Sequence, residues 1–362
     1  MIQAQFIETM LLLSINHQSL IATKASRIVR AAMGRPIMEF GSRRAQGSDA
    51  AILGARAAYI GGCGGTACTI CEKKYGIPAL GTMAHSWVQL FDSEYEAFKT
   101  YAELYPENCT LLIDTYNVLK SGIVNAIRVF NEVILPKGFR PGGVRIDSGD
   151  ITYLSKKVRK ILDDAGFSDC GIVASNSMDE NIIKDTLSQG AQIDSFGIGE
   201  RLITSQPVFG GVYKLSAVEK GGEFQPKIKI SENVTKITNP GFKKVFRLFE
   251  KESGKAIADV ITLFDETLIG EERYELFDPE YTWKRKTVTD FEAKELLVQI
   301  FDHGKCVYQS PSTQEIRSYC AAQLDTLWDE VKRFENPHKY YVDLSKKLWE
   351  IKECLLLEMS VK

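Results

Sequence analysis

From residue 36 onward, short apolar runs alternate with longer stretches whose apolar positions recur at helical spacing. PIMEFG (36 to 41) leads into SDAAILGARAAYIGG, IPALGTMAHS (77 to 86) into SEYEAFKTYAELYP, and CTLLIDTYN (109 to 117) into KSGIVNAIRVFNEVILP. GGVRIDSGD (142 to 150) is followed by ITYLSKKVRKILDDAGF, DCGIVASNS (169 to 177) by DENIIKDTLSQG, and IDSFGIGERLI (193 to 203) closes the series. Each run stops at a polar or glycine-rich turn, and the first five turns enter a helix. Such β–α repetition requires a mostly parallel sheet with right-handed crossovers. An open doubly wound sheet satisfies this pattern. A closed α/β barrel also satisfies it and brings the polar strand exits to one cavity, so a barrel over residues 36–215 is the expected architecture.

The flanks read differently. Residues 1–35 form a helical lead-in, with Phe6, Met10, Leu13, Leu20 and Ile21 on one side and Glu8, Asn16, Lys24 and Arg27 elsewhere. MLLLSI is not a signal-peptide core, because Glu8 adjoins it and no basic region precedes it. His17 in this helix is a packing or hydrogen-bonding residue rather than a ligand, since no second ligand stands at helical spacing. After Lys214 the composition shifts. EKGGEFQP is linker-like, and KIKISENVTKI, KKVFRLFEKESGKAIADVITLF and ERYELFDPEYTWKRKTV alternate like short hairpin strands. The tail holds two helical stretches, STQEIRSYCAAQLDTLWDEVKRF and LSKKLWEIKECLLLE. Residues 216–362 are therefore expected to form a smaller α+β domain whose C-terminal helices pack back on the barrel.

Charge narrows the function. Of 362 residues 45 are basic and 47 acidic, so a net charge of -2 offers no long-range attraction to nucleic acid or an anionic membrane. No apolar run is long enough to span a bilayer. The eight cysteines, without the paired CxxC spacing of a zinc site, suit a reducing compartment and a cytoplasmic location. Candidate chemistry then lies in the turns. Phe40 can stack a flat ring, and Arg43 and Arg44 can grip a carboxylate or phosphate. His85 is the one histidine placed just beyond a strand, whereas His303 and His338 lie in polar turns. Arg145, Asp147 and Asp150 mark the RIDSGD loop. Asp114, Thr115 and Asn117 follow the third strand, and Ser175 and Asn176 the fifth. Gly197 and Gly199 can expose backbone N–H groups to a phosphate, with Lys214 as a further phosphate contact. Neither a GxGxxG fingerprint nor a GxxxxGK[ST] loop occurs.

The ordered set EFGSRRAQGSD, GTMAHSW, IDTYN, RIDSGD and FGIGERL, continued by KISENVTKITNPGFKKVFRLF, resembles bacterial nicotinate phosphoribosyltransferases over nearly the whole chain. The resemblance implies an irregular TIM-like α/β barrel of the type II phosphoribosyltransferases beside a smaller, incomplete α+β domain. It also implies a homodimer with shared active sites. The implied reaction makes nicotinate mononucleotide from nicotinate and 5-phosphoribosyl 1-pyrophosphate, with Mg²⁺ and with ATP hydrolysed through a phosphohistidine. In that likeness His85 is the phosphorylated histidine and Phe40 lies against the pyridine ring. Arg43 and Arg44 stand near the nicotinate and its phosphorylated partners, and Arg145 and Asp147 near the base and the ribose hydroxyls. Gly197 and Gly199 receive the 5'-phosphate, while Asp114 and Asp150 have no assigned role. The metal is expected through substrate phosphates.

Two departures stand out. Ser177 occupies a position where the family often carries an acid, with Asp179 following later. The family also carries a further N-terminal segment, including a tyrosine that stacks on substrate across the dimer. A catalytically inactive dimerisation partner is therefore one alternative. A nicotinamide-using relative is another, although GGTAC lacks the carboxylate such a relative places near the carboxamide. A quinolinate-using enzyme is the third, and it would call for more basic groups and no phosphohistidine.

Overall fold

The computed structural model describes residues 5–233 and 236–360. The outermost residues of the lead-in and tail, and Val234 and Thr235 of KISENVTKI, lie outside the described residues. The chain divides into two compact units. The first runs to Gly210 and takes back Pro311–Ala321, and the second holds Gly211–Ser310 and the chain from Ala322 onward.

In the first unit, helix α1 (Glu8–Ala31) buries Ile21, Ala25, Ile28 and Ala31, and it packs on α2 (Ser48–Ile60), whose facing residues Ala51, Gly54, Ala55 and Ala58 are small. The stripe expected from the sequence begins too early, since Phe6, Met10 and Leu13 are largely exposed. The small residues of α2 meet α1 from His17 onward, and the buried face of α1 lies along that part. His17 sits at this seam, its Nε2 3.2 Å from the Ala50 carbonyl.

Six parallel strands follow: β1 (Ile37–Glu39), β2 (Gly65–Thr66), β3 (Thr110–Leu112), β4 (Gly143–Ile146), β5 (Gly171–Ser175) and β6 (Ser195–Ile198), in the order β2-β1-β6-β5-β4-β3. The expected strand in IPALGTMAHS is reduced to one bridge from Ala79 to Thr66, because Pro78 has no N–H to donate. The strand in its place, β2, lies in the glycine-rich GGCGGT stretch that reads as a turn. Gly65 is needed there, because a Cβ would come within 2.5 Å of the Pro78 carbonyl.

The sheet is rolled. From Ala79 through β2, β1, β6 and β5 to β4 is five ladder steps, about 24 Å if flat at ~4.8 Å per step. Yet Arg145 on β4 reaches the hydroxyl of Thr82, three residues past Ala79, at 2.7 Å. A flat sheet cannot close that distance with one side chain.

The connecting helices are α3 (Ile70–Tyr75), α4 (His85–Gln89), α5 (Glu94–Leu104), α6 (Ile123–Val129, flanked by wider and tighter turns), α7 (Ile151–Asp164), α8 (Glu180–Ser188) and the single turn α9 (Glu200–Ile203). Fully buried Phe98, Phe130, Phe167 and Phe196 fill the core. Glu180 at the start of α8 is buried and ties to α1 through Lys24 and Arg27, 2.5 and 2.8 Å away.

In the second unit, EKGGEFQP is a hairpin rather than a linker. β7 (Ala217–Lys220) and β8 (Glu223–Pro226) pair across Gly221 and Gly222, both at positive φ as a tight two-residue turn demands. A four-stranded sheet follows in the order β13-β9-β10-β16, made of β9 (Lys243–Glu250), β10 (Ala256–Leu263), β13 (Phe291–Glu295) and β16 (Val342–Leu344). β11 (Arg273–Phe277) pairs with β12 (Arg285–Thr289), and β14 (Phe301–Asp302) with β15 (Lys305–Cys306). Phe246, Leu248, Val260 and Phe291 form its core. Arg247 on β9 and Asp259 on β10 meet through two bonds of 2.8 and 2.9 Å, and the Tyr340 hydroxyl donates to Asp259 at 2.8 Å.

The expected long tail helix ends early, as α10 (Thr313–Asp325), and α11 (Lys346–Ser360) closes the chain's described part. Arg317 lies on the stretch that returns to the first unit. It donates to the carbonyls of Tyr59 at 2.7 Å, Gly62 at 2.9 Å and Cys63, and its guanidinium covers the Tyr59 ring at 4.3 Å.

Candidate active site

The rolled sheet turns the ends of its strands toward a cleft of about 350 Å³ lined by Phe40, Arg43, Arg44, Ala67, Thr82, Met83, His85, Arg145, Asp147, Ser175, Asn176, Ser177, Gly197, Gly199 and Glu200. Strand alternation explains its central cation. Val144 and Ile146 on β4 are fully buried, so Arg145 between them faces the opposite, inner side of the sheet.

Arg145 is held by neutral and charged partners together. Its Nε donates to Ser175 Oγ at 2.8 Å and its Nη1 to Thr82 Oγ1 at 2.7 Å, while Nη2 lies 3.2 Å from Asp147 Oδ1. Ser175 in turn donates to Asp147 Oδ1 at 2.5 Å. One oxygen of Asp147 is thus occupied on the protein side, and the partly exposed carboxylate still lines the cleft.

Asp114, just past β3, is almost fully buried and orders the next group. Its Oδ2 accepts the Asp147 N–H at 3.0 Å and the Ser148 hydroxyl at 2.6 Å, and its Oδ1 lies 3.2 Å from His85 Nε2. A carboxylate acting as acceptor at both oxygens requires Nε2 of His85 to carry the proton. The Nδ1 lone pair of His85 is then the free one. The Asp114–His85 contact also spans the gap in the rolled sheet between β3 and the Ala79 segment.

Phe40 defines the apolar wall. The Arg145 guanidinium lies 5.6 Å from its ring centroid, and the ring rests on Gly197, where a Cβ would come within 2.4 Å. Gly197 is therefore a strand residue paired with Met38 and Ser175 that makes room for Phe40. Gly199 precedes α9, where a Cβ would meet the Phe40 carbonyl at 2.9 Å. Asn176 holds φ 121°, uncommon for a side-chain-bearing residue, at the mouth of the cleft.

Several expected residues have other tasks. Asp150 is the N-cap of α7, accepting from Tyr153 N at 2.9 Å. Asp179 caps α8 and pairs with Arg201 at 2.5 Å, tying the fifth turn to the sixth. Thr115 does not line the cleft, and its buried Oγ1 has no hydrogen-bond partner among the described residues. Lys214 belongs to the second unit, where its Nζ donates to the Tyr213 carbonyl at 3.0 Å. Arg44 lies 3.5 Å from Glu200. Sequence reasoning missed Thr82 and Ser148. The only available signal was that each stands inside or beside a quoted turn.

The profile of the nicotinate phosphoribosyltransferase (NAPRTase) family matches residues 36–253, and that of the nicotinate phosphoribosyltransferase C-terminal domain matches residues 242–352. The chain belongs to the nicotinate phosphoribosyltransferase family. It is 46% identical to nicotinate phosphoribosyltransferase of Bacillus subtilis over 97% of this chain and 72% of the relative. The crystal structure of human nicotinic acid phosphoribosyltransferase matches with a TM-score of 0.84 at 28% identity, covering 97% of this chain and 77% of that one. A nicotinate-nucleotide pyrophosphorylase from Pyrococcus furiosus matches with a TM-score of 0.65 at 26% identity, over 88% and 73%. The first unit thus has the α/β fold of the type II phosphoribosyltransferases, and the protein is a transferase.

Among the described residues no group of three His, Cys, Asp or Glu side chains is arranged to hold a metal ion. Mg²⁺ is commonly bound through one or two carboxylates together with substrate phosphates. Asp147 is a carboxylate placed to take part in that way, so the donor set fits a metal arriving with its phosphates. No described helix is long and apolar enough to cross a membrane.

Proposed function

We propose that this cleft transfers the phosphoribosyl group of 5-phosphoribosyl 1-pyrophosphate to the ring nitrogen of nicotinate, releasing nicotinate mononucleotide and pyrophosphate. The carrying observation is the juxtaposition of Phe40, Arg145, Asp147 and His85 in one cleft, each held by a neighbouring turn. The nitrogen lone pair forms the bond to C1 of the ribose as the C1–oxygen bond to pyrophosphate breaks. No general base is required. Phe40 would lie against the pyridine face, and Arg43 would meet its carboxylate with charge-assisted bonds. Ala67, beside the Phe40 turn, puts no acid there that would repel that carboxylate. Asp147 would accept the ribose hydroxyls, and Mg²⁺ on the pyrophosphate supplies charge neutralisation when bound.

ATP enters the same reading through His85. Asp114 fixes the Nε2–H, so Nδ1 would attack the terminal phosphorus of ATP with ADP leaving. Water later cleaves the phosphohistidine. The phosphoryl group would add about 1.5 to 2 negative charges beside Arg145 and Asp147. A homodimer and a cytoplasmic location complete the proposal. All eight cysteines are free, which suits a reducing compartment.

The test is product formation by the purified chain. With nicotinate, 5-phosphoribosyl 1-pyrophosphate and MgATP, chromatography should show nicotinate mononucleotide, with nicotinamide and quinolinate at least tenfold poorer. Radiolabelled ATP should leave acid-labile label that His85→Ala loses entirely. Equal turnover of nicotinamide, or equal label in His85→Ala, refutes the reading. A chain that binds its substrates but makes no product is the inactive partner instead.

A further inference from the structure

Glu39 is the last residue of β1, and its side chain is fully buried. One carboxylate oxygen accepts the Gly41 N–H and the other the Thr66 hydroxyl at 2.5 Å. Neither partner is a cation. Burial raises the carboxyl above its usual range, and the bonds from Thr66 and Gly41 oppose that shift. A buried carboxylate bonded only to neutral donors carries a desolvation cost that an apolar residue would avoid.

The geometry shows what the carboxylate holds together. Gly41 follows Phe40 and begins the turn that carries Arg43 and Arg44. Thr66 ends β2 and precedes Ala67, and its backbone bonds to Pro78 at 3.0 Å and Leu80 at 2.9 Å, on the segment leading to Thr82 and His85. The Thr66 hydroxyl also accepts the Cys68 N–H at 2.9 Å, which leaves its own proton available to Glu39. A carboxylate, with two oxygens and no hydrogens of its own, can accept from both turns at once.

We propose that Glu39 is a positioning residue for the base-binding half of the cleft. By joining the Gly41 amide to the Thr66 hydroxyl it fixes the turn bearing Phe40 and Arg43 against the adjoining wall at Ala67, whose N–H donates to the Glu39 carbonyl at 2.8 Å, and so sets affinity for the pyridine substrate. The inference rests on the nicotinate-binding reading above. Glu39 does not line the cleft, so it acts through its neighbours. The ribose-binding group Asp147 hangs from β4, β5 and Asp114, and Glu39 reaches it only at second hand, through Thr82 on Arg145 and His85 on Asp114.

Glu39→Gln presents an amide N–H₂ to one of the two donors, and Thr66→Val removes the hydroxyl. Each should raise KM for nicotinate about 5- to 30-fold and weaken nicotinate binding by calorimetry equally. KM for 5-phosphoribosyl 1-pyrophosphate should stay within twofold. Thermal unfolding of Glu39→Gln should stay level or rise, since a buried charge is gone. The double variant should be no worse than the worse single one, because both break the same link. Thr66→Ser, which keeps the hydroxyl, should restore parental KM.

Nicotinate KM within twofold of the parent in Glu39→Gln and Thr66→Val overturns the proposal, whichever way stability moves. So does an equal rise in both KM values. Should the unsubstituted chain neither bind nor turn over nicotinate, the parent reading falls and takes this one with it. Normal parental kinetics with unmoved variants sinks this inference alone.

Discussion

Each unit contains a carboxylate joined to an arginine, and the two clusters differ in what they leave unused. In the second unit Asp259 has both oxygens engaged by Arg247, and Tyr340 adds a third bond. The cluster is closed on itself. In the first unit Arg145 binds Ser175, Thr82 and Asp147, but Asp147 and the Phe40 ring still face a cleft. A charge pair whose bonds are all internal belongs to the scaffold. One that keeps an acceptor turned toward a cavity is equipped to receive something.

The largest expected effect tests the closed cluster. Asp259→Ala leaves Arg247 partly buried without its carboxylate, a loss of about 3 kcal/mol. Urea unfolding of the second unit should shift accordingly, while the residual folded protein keeps its kcat/KM. Reduced kcat/KM at unchanged stability would erase the contrast.

The open cluster should respond in the opposite sense. Asp147→Asn removes a charge-assisted acceptor worth about 1.5 to 3 kcal/mol, so kcat/KM for 5-phosphoribosyl 1-pyrophosphate should fall about 10- to 100-fold. The melting temperature should move little. Early unfolding with near-normal kinetics would return Asp147 to the scaffold.

A smaller effect sharpens the comparison through pH. Asp343 on β16 is 5% exposed, and burial, with the charge of Asp278 added, pushes its carboxyl up to about 6 from an ordinary value near 3.8. The folded state therefore favours the protonated form. The stability this contributes is complete below about pH 4 and lost as pH rises through about 6. Asp343→Asn should be more stable than the parent at pH 7.5, on the order of 1 to 2 kcal/mol, and show no advantage at pH 4. An equal difference at both values would separate Asp343 from the titration.

Much of this was legible in the sequence, for identifiable reasons. Five of the six expected strands form, because each pairs a short apolar run with a turn and a helix. The RIDSGD loop and His85 are visible as polar groups at strand exits. Three features were hidden. β2 was masked because glycines that permit close backbone approach look like glycines that permit a turn. Asp147 and Asp150 stand three residues apart with the same side chain, and only the capped N–H of Tyr153 shows that Asp150 serves the helix. Glu39 was passed over because a glutamate in an apolar strand gives no sign of which donors converge on it.

The return of Pro311–Ala321 to the first unit bears on how the protein is made. Arg317 closes the carbonyls that follow α2, yet it is synthesised after more than 200 intervening residues, as the positions of Gly62 and Arg317 require. A domain emerging from the ribosome ordinarily folds as its last residue clears the exit. Here the strands and their turns emerge long before the arginine that secures the stretch ahead of β2. Translation must pass through nearly all of the second unit's sheet before the first unit is complete, so a pause or premature stop in that interval leaves a catalytic half whose Tyr59–Cys63 segment has no clasp.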